Sequence, residues 1–321
     1  MVQSNSRGSK VKILVTGGAG FIGSNIVDAY LGLGHQVTII DNLSTGRERN
    51  INPQAVFHKV DIRDAGAVTR VFESGKFDLV NHHAAQIDVR RSVADPVYDA
   101  SVNLLGVLTL LECCIKTGVQ RFVFASSGGA IYGEQDYFPA DEEHPTRPIS
   151  PYGISKLNTE HYLFYYQAIH QLNTVALRYA NVYGPRQNPE GEAGVVAIFA
   201  GKMLKGETPT INGDGTQTRD YVYVGDVVRA NVLALDWKGS LVVNVGTGVE
   251  SDVNTVFRIL RKITGSTCEE RHAAAKMGEQ MRSVLNFAKI TKTLGWKPTV
   301  MLEEGLSKTA DYFRTTKGHG A

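Results

Sequence analysis

The segment Lys12-Ile13-Leu14-Val15-Thr16-Gly17-Gly18-Ala19-Gly20-Phe21-Ile22-Gly23 joins a short apolar run to glycines at every third position. The run has the length and β-branched content of a buried strand, and Ser24 to Leu33 beyond it has helical character. The segment therefore reads as strand, tight turn and helix. Glycine allows the turn and lets backbone N–H groups approach a pyrophosphate at the positive end of the helix dipole. Gly17, Gly20 and Gly23, with Phe21 and Ile22 between the last two glycines, are thus candidate dinucleotide contacts. A second strand ends in Asp41, 18 residues past Gly23, where a carboxylate accepts from ribose hydroxyls and repels a 2′-phosphate. Asp41, with Asn42 beside it, favours NAD, while Arg47 in the following loop leaves NADP open.

Outward from this turn, short β-branched runs alternate with helical patterns, as parallel strands joined by crossover helices do. Lys12–Thr16, Gln36–Asp41, Val56–Val60, Leu79–His83, Arg121–Ser126 and Thr174–Arg178 are the predicted strands. Most are too uniformly apolar for half-exposed strands, which predicts an α/β fold with a doubly wound (Rossmann) parallel sheet covered on both faces. After Asn181, Gly184-Pro185, Asn188-Pro189 and Asn212-Gly213-Asp214-Gly215 punctuate shorter elements. The expected organisation is a nucleotide domain over 11–180, rejoined by 221–247, a smaller mixed α/β substrate domain over 181–220 and 248–315, and a disordered tail over 1–10.

The 34 Lys and Arg residues stand against 32 Asp and Glu, a formal charge of +2, so no basic stripe suggests a nucleic-acid partner. Cys113, Cys114 and Cys268 match neither a disulfide framework nor a zinc spacing, so no metal site is expected and the thiols are read as reduced. No run approaches the roughly 18 apolar residues of a membrane span and the start of the chain lacks an apolar signal segment. A cytoplasmic protein without a membrane partner is the expectation.

Ile149-Ser150-Pro151-Tyr152-Gly153-Ile154-Ser155-Lys156 carries a capping serine and a proline suited to the first helical position. Tyr152 and Lys156 then share a helix face. A free tyrosine, with a pKa near 10, is a poor base at neutral pH, but a neighbouring ammonium and an oxidised nicotinamide both favour its phenolate. Proton abstraction from a sugar hydroxyl becomes possible. Phe122 to Gly133 ends an apolar strand in hydroxyls and small residues, and strand carboxyl ends line ligand crevices in such sheets. Ser127 could bond the reacting oxygen there, or merely its own turn backbone.

On the glycine turn, the serine-rich strand end and Tyr152-x-x-x-Lys156, the chain resembles the extended short-chain dehydrogenase/reductase family, of the NAD-dependent epimerase/dehydratase type, from about Val11 to Tyr312. It is closest to the UDP-glucose 4-epimerases. Asp61-Ile62, His83-Ala84-Ala85, Val102 to Gly106, Leu177 to Gln187, Gly215 to Tyr221 and Leu294-Gly295-Trp296 match as well. The resemblance implies that Asp61 and Ile62 contact the adenine, that Ala84 and Ala85 pass the cofactor, and that Asn103 supports the site. It makes Tyr152 the base, Lys156 its partner and ribose ligand, and Ser127 the assisting hydroxyl. Asn181 and Arg219 fall where the family holds UDP; Arg219 could equally pair with an acid such as Asp220. Two departures stand out. Gly128, Gly129 and Ala130 separate Ser127 from Ile131, so alignment from Tyr132 would put a glycine in the hydroxyl's place. Lys276 stands where the family has a diphosphate-binding arginine, with Arg282 nearby to compensate.

By the same resemblance, dehydratases and decarboxylases need carboxylates after the hydroxyl residue, where this chain has Gly128-Gly129. Epimerisation at C4 through a 4-keto intermediate needs hydride and proton transfer alone, with NAD regenerated in each turnover. Ser283 falls beside the sugar's C2 substituent, where a small residue leaves room for an N-acetyl group, unless it simply faces solvent. UDP-glucose and UDP-galactose, with their N-acetylated counterparts, are the implied substrates. A UDP-glucuronate 4-epimerase using Arg186 for the carboxylate, another nucleotide-sugar dehydratase or decarboxylase, and a non-catalytic NAD-binding regulator are the alternatives. Relatives are usually homodimers.

Overall fold

The computed structural model describes residues 10–189, 194–275 and 280–316. Its strands are β1 (Lys12–Thr16), β2 (Gln36–Asp41), β3 (Val56–Lys59), β4 (Leu79–His82), β5 (Arg121–Ser127), β6 (Asn173–Tyr179), β7 (Asn181–Tyr183), β8 (Thr210–Asn212), β9 (Thr218–Tyr223), β10 (Ser240–Val245), β11 (Glu250–Asp252), β12 (Arg271–Ala273) and β13 (Arg282–Ser283). The helices are α1 (Phe21–Gly32), α2 (Ala65–Gly75), α3 (Val89–Ala94), α4 (Pro96–Ala100), α5 (Gly106–Thr117), α6 (Gly128–Tyr132), α7 (Pro151–His170), α8 (Val195–Leu204), α9 (Val224–Ala234), α10 (Val253–Thr264), α11 (Ala288–Leu294) and α12 (Leu302–Thr316).

Seven strands form one parallel sheet in the order β10-β6-β5-β4-β1-β2-β3. The order reverses beside β1, so a crevice opens at the carboxyl ends of β1 and β4, where such sheets bind ligands. Alternate residues of each strand feed opposite faces. Ile13 and Val15 join Ile26, Val27, Tyr30, Val227 and Ala230 under α1 and α9. Leu14 points the other way, into a core with Val68, Phe72, Leu110, Phe122, Leu163 and Tyr166 under α2, α5 and α7. Each fully buried valine, leucine, isoleucine or phenylalanine among these contributes about 1.5–3 kcal/mol of transfer free energy. The sheet is therefore covered on both faces, and the expected Rossmann architecture is present.

The chain then builds a second layer. β9 pairs antiparallel with β11 and parallel with β7 and β13, over a core of Tyr183 from β7 with Phe199, Phe257, Leu260 and Leu306 from α8, α10 and α12. α9 returns to pack on α1, and β10 pairs in register with β6 from Ser240 opposite Thr174. Ile290 and Trp296 also lie in the large core. The stretch around α11, read from sequence with the substrate region, thus lies on the flank of the large sheet.

One helical run bears on the expectation that no segment suits a membrane span. The helical run Pro96–Thr117 is long and apolar enough to cross a membrane by length and composition. Its apolar residues have another use here, since Val107, Leu110, Leu111 and Cys114 are buried against the large sheet.

Candidate active site

Gly17 has φ +70, and a Cβ built on it would lie 2.6 Å from the Ala84 nitrogen; one on Gly23 would lie 2.3 Å from the Gly17 oxygen. Neither position admits a side chain, because β1, the turn and the end of β4 are pressed together. The Gly20 N–H closes the turn on the Gly17 carbonyl at 3.0 Å. α1 starts at Phe21 with no side-chain cap and no acid in its first turn, leaving its first amides to an outside anion. This cradle fits a pyrophosphate.

The adenosine-side residues gather at the ends of β2 and β3. Asp41 is 8% exposed and accepts from the amides of Ala19 (3.0 Å) and Leu43 (2.8 Å). Burial pushes its carboxyl upward while those amides oppose the shift. Asn42 donates to Asp61 Oδ2 at 3.0 Å, and Arg63 holds the Asp61 carboxyl well below the usual range through paired bonds of 3.0 and 2.8 Å. Ile62 is buried against Gly106. Arg47, which left NADP open, donates to Asn188 at 2.5 Å.

At the end of β4 the Thr16 hydroxyl accepts from the amides of His83 (3.2 Å) and Ala84 (3.1 Å). Two bonds between Gln86 and Asn103, of 2.9 and 2.8 Å, fix the strip that contains Ala84 and Ala85. Asn103 sits on a π turn over Ser101–Leu105. Its neighbour Asp99, on the preceding α4, is not singled out by the sequence reading. Its spacing of four from Asn103, on one helical face, was the available signal.

The Ser150 hydroxyl caps α7 by accepting from the Gly153 amide at 3.2 Å, and Tyr152 and Lys156 follow on one face. Lys156 is 5% exposed; its Nζ donates to the Ala125 carbonyl at 2.7 Å and lies 4.7 Å from the Phe124 ring centroid and 5.6 Å from that of Tyr152. Burial lowers its pKa to about 8, against the upward pull of Asp99 and Glu160. The Tyr152 phenol is pushed above its ordinary value by burial and by Asp99, and the Ser127 hydroxyl opposes this. Without a further positive charge the phenol keeps its proton at neutral pH. The lysine alone does not reverse this, because its ammonium points to Ala125.

Ser127 ends β5 and caps α6, accepting from the Ala130 amide at 3.4 Å. A Cβ on Gly128 would strike Leu285 Cδ1 at 2.5 Å, whereas one on Gly129 would find Ser283 Oγ as its nearest neighbour at 3.6 Å. Ser283 is 4% exposed, so it does not face solvent; β13 carries it to the wall opposite Gly129. Ser127, Gly129, Tyr152 and Ser283 are thus brought together. In β9, Arg219 stands in register with Ser283 and donates to the Thr218 carbonyl at 2.8 Å. Asn181 is exposed at the start of β7.

Two arginines of the sequence reading are paired with acids in this structure. Arg186 donates to Asp28 on α1 at 2.6 Å, so the group weighed for a uronate carboxylate already has one. Arg282 binds both oxygens of Glu250 and lies 3.8 Å from the Phe138 ring centroid, which ties it to the strand edge. Lys276 lies outside the described residues.

Comparison with known proteins agrees with this geometry. A family model described as the NAD dependent epimerase/dehydratase family matches residues 13–246. The putative UDP-glucose 4-epimerase of Methanocaldococcus jannaschii is 48% identical over 94% of this chain and 98% of its own length. The UDP-glucose 4-epimerase of Thermotoga maritima, solved with UDP-glucose, is 49% identical with a TM-score of 0.94, covering 95% of this chain and 99% of that one. That of Thermus thermophilus, solved with NAD, is 47% identical with a TM-score of 0.90, covering 94% and 99%. With its glycine cradle, its tyrosine–lysine helix and a family match over most of its length, the chain belongs to the NAD-dependent epimerase/dehydratase family.

Proposed function

We propose that the chain interconverts UDP-glucose and UDP-galactose by epimerisation at C4, as a member of galactose metabolism. The carrying observation is the convergence of Tyr152, Lys156 and Ser127 at the end of β5, beside two glycines that supply no carboxylate. Elimination of water would need a further acid and base, and loss of CO2 a further proton donor, whereas reversal at one carbon needs one base.

Gly17, Gly20, Phe21, Ile22 and Gly23 hold the NAD pyrophosphate, Asp41 and Asn42 the adenosine ribose, Asp61 and Ile62 the adenine, and Ala84, Ala85 and Asn103 the middle of the cofactor. When bound, NAD+ supplies the electron-pair acceptor and donor at the sugar's C4. Tyr152 takes the C4 hydroxyl proton and returns it to the same oxygen, with Ser127 bonded to that oxygen. Positive charge beside the buried phenol offsets the upward push of burial, so the base forms only in the loaded site. Lys156 holds the nicotinamide ribose. Asn181 and Arg219 hold the UDP moiety, and Lys276 is assigned to its diphosphate.

The buried Ser283 opposite Gly129 leaves space beside C2, which supports acceptance of UDP-N-acetylglucosamine. The pairing of Arg186 with Asp28 speaks against a uronate substrate. One side of α7 exposes Ile154, Tyr162, Tyr165 and Ile169, with Leu105 exposed just before the neighbouring α5. Apolar stripes of this kind mark interaction sites, and we assign this one to a homodimer. Free thiols at Cys113, Cys114 and Cys268 suit a reducing cytoplasm.

The test is incubation with UDP-galactose and, separately, UDP-N-acetylgalactosamine, with products identified by NMR. The glucose and N-acetylglucosamine epimers are expected. Conversion of neither pair would overturn the reading. Tyr152→Phe separates enzyme from regulator: NAD stays bound while turnover falls roughly 10²–10⁴-fold.

A further inference from the structure

We propose that Asp99 is a positioning residue that joins the cofactor-side loop to the reactive helix and matches the charge of Lys156. Asp99 is fully buried at the end of α4. Its Oδ1 accepts from Gln86 Nε2 at 3.0 Å and Asn103 Nδ2 at 2.9 Å, and its Oδ2 accepts from Ser155 Oγ at 2.8 Å. One carboxylate thus bonds to the strip following β4, to the π turn and to α7. Gln86 holds the Ala84–Ala85 strip, and Ser155 precedes Lys156 in the chain. A shift of α7 is therefore transmitted to the strip that passes the cofactor.

The second role follows from charge. Two acids, Asp99 and Glu160, act on the buried Lys156 ammonium. Glu160 is paired with Arg178 on β6 at 2.6 Å, so the acid left to act on the lysine is Asp99, bonded at 2.8 Å to Ser155, the residue before Lys156. The other groups facing the lysine do not supply that charge. His82 at the end of β4 and His83 just after it are kept neutral by burial, Tyr152 is a protonated phenol, and β5 contributes the Ala125 carbonyl and the Ser127 hydroxyl. A buried carboxylate near an ammonium favours its charged form. Removing the carboxylate should therefore release the lysine proton at lower pH.

The inference rests on the epimerase reading, and the experiment separates the two. Asp99→Asn, Asp99→Glu and Ser155→Ala are compared with the unaltered holoenzyme by the pH profile of kcat/KM for UDP-galactose and by the NAD retained through gel filtration. Asp99→Asn is expected to move the alkaline limb down by about one pH unit or more and to lower NAD retention several-fold. Ser155→Ala removes one bond and keeps the charge, so its limb stays in place. An Asp99→Asn limb coincident with that of the parent would overturn the proposal, as would a Ser155→Ala limb that moves equally. If Asp99→Asn does not fold, Asp99→Glu carries the test: retention falls with the limb unmoved, and either parental retention or a displaced limb overturns the proposal. A parent without epimerase activity sinks the functional reading instead, while NAD retention still tests the joining role.

Discussion

Lys156 shows how much of the chemistry depends on enclosure. Its ammonium bonds to one carbonyl in a pocket floored by Phe124, and its pKa falls to about 8. The charged form is present below that value and is lost above it, so turnover should decline as pH rises through about 8. A solvated lysine would hold its charge to above 10. The linkage to stability has the opposite sense. Folding encloses the ammonium at full cost below pH 8, and that cost fades between about 8 and the unfolded value near 10.4. This residue's contribution to the unfolding free energy should therefore rise over that window, which denaturant titrations at pH 8 and 10 would show. Ser283 is the other residue whose size matters. Ser283→Tyr should reduce turnover of the N-acetylated pair at least tenfold while sparing UDP-glucose, read as separate kcat/KM values; equal losses on both pairs would contradict its placement beside C2.

Among the elements, α7 is held by more than its apolar face. Glu160, one turn past Lys156, accepts from Ser126 at 2.6 Å and from Arg178 through Nε (3.0 Å) and a second nitrogen (2.6 Å). Arg178 also donates to the Tyr132 hydroxyl at 2.9 Å, which in turn donates to Asn244 at 2.8 Å. This buried chain ties α7, β5, β6, α6 and β10 together beneath the reactive residues. Glu160→Gln would leave a buried guanidinium without its counter-charge, so a loss of about 3–5 kcal/mol is expected in urea unfolding. These elements also show what was legible in the sequence. The nucleotide end was legible because close backbone approach needs glycine, and Gly17 and Gly23 mark it; α7 was legible from Ser150-Pro151 and the Tyr152–Lys156 spacing. Arg186 and Arg282 were not, because their acids, Asp28 and Glu250, lie 158 and 32 residues away. No local pattern distinguishes an arginine that pairs with a distant acid from one that does not. Glu160 and Asp99 look like ordinary helix acids until the fold encloses them.

For the whole molecule, the exposed side of α7 yields a prediction about assembly. A double charge substitution, Tyr165→Glu with Ile169→Glu, should convert a dimer to a monomer in light scattering after size exclusion, while the fold is retained by circular dichroism. A parent that runs as a monomer would remove the assignment of that face. The layering of the chain carries a last consequence. Among the described residues the backbone passes between the large sheet and the smaller layer five times, at Ala180, Tyr223–Val224, Gly246–Val249, Val284–Phe287 and between α11 and α12. Hinged lobes swing apart on a few flexible residues, whereas five separate crossings must all bend together before these two layers can part. On the epimerase reading, walls held by so many crossings leave it to the sugar ring to turn between them when it presents its second face.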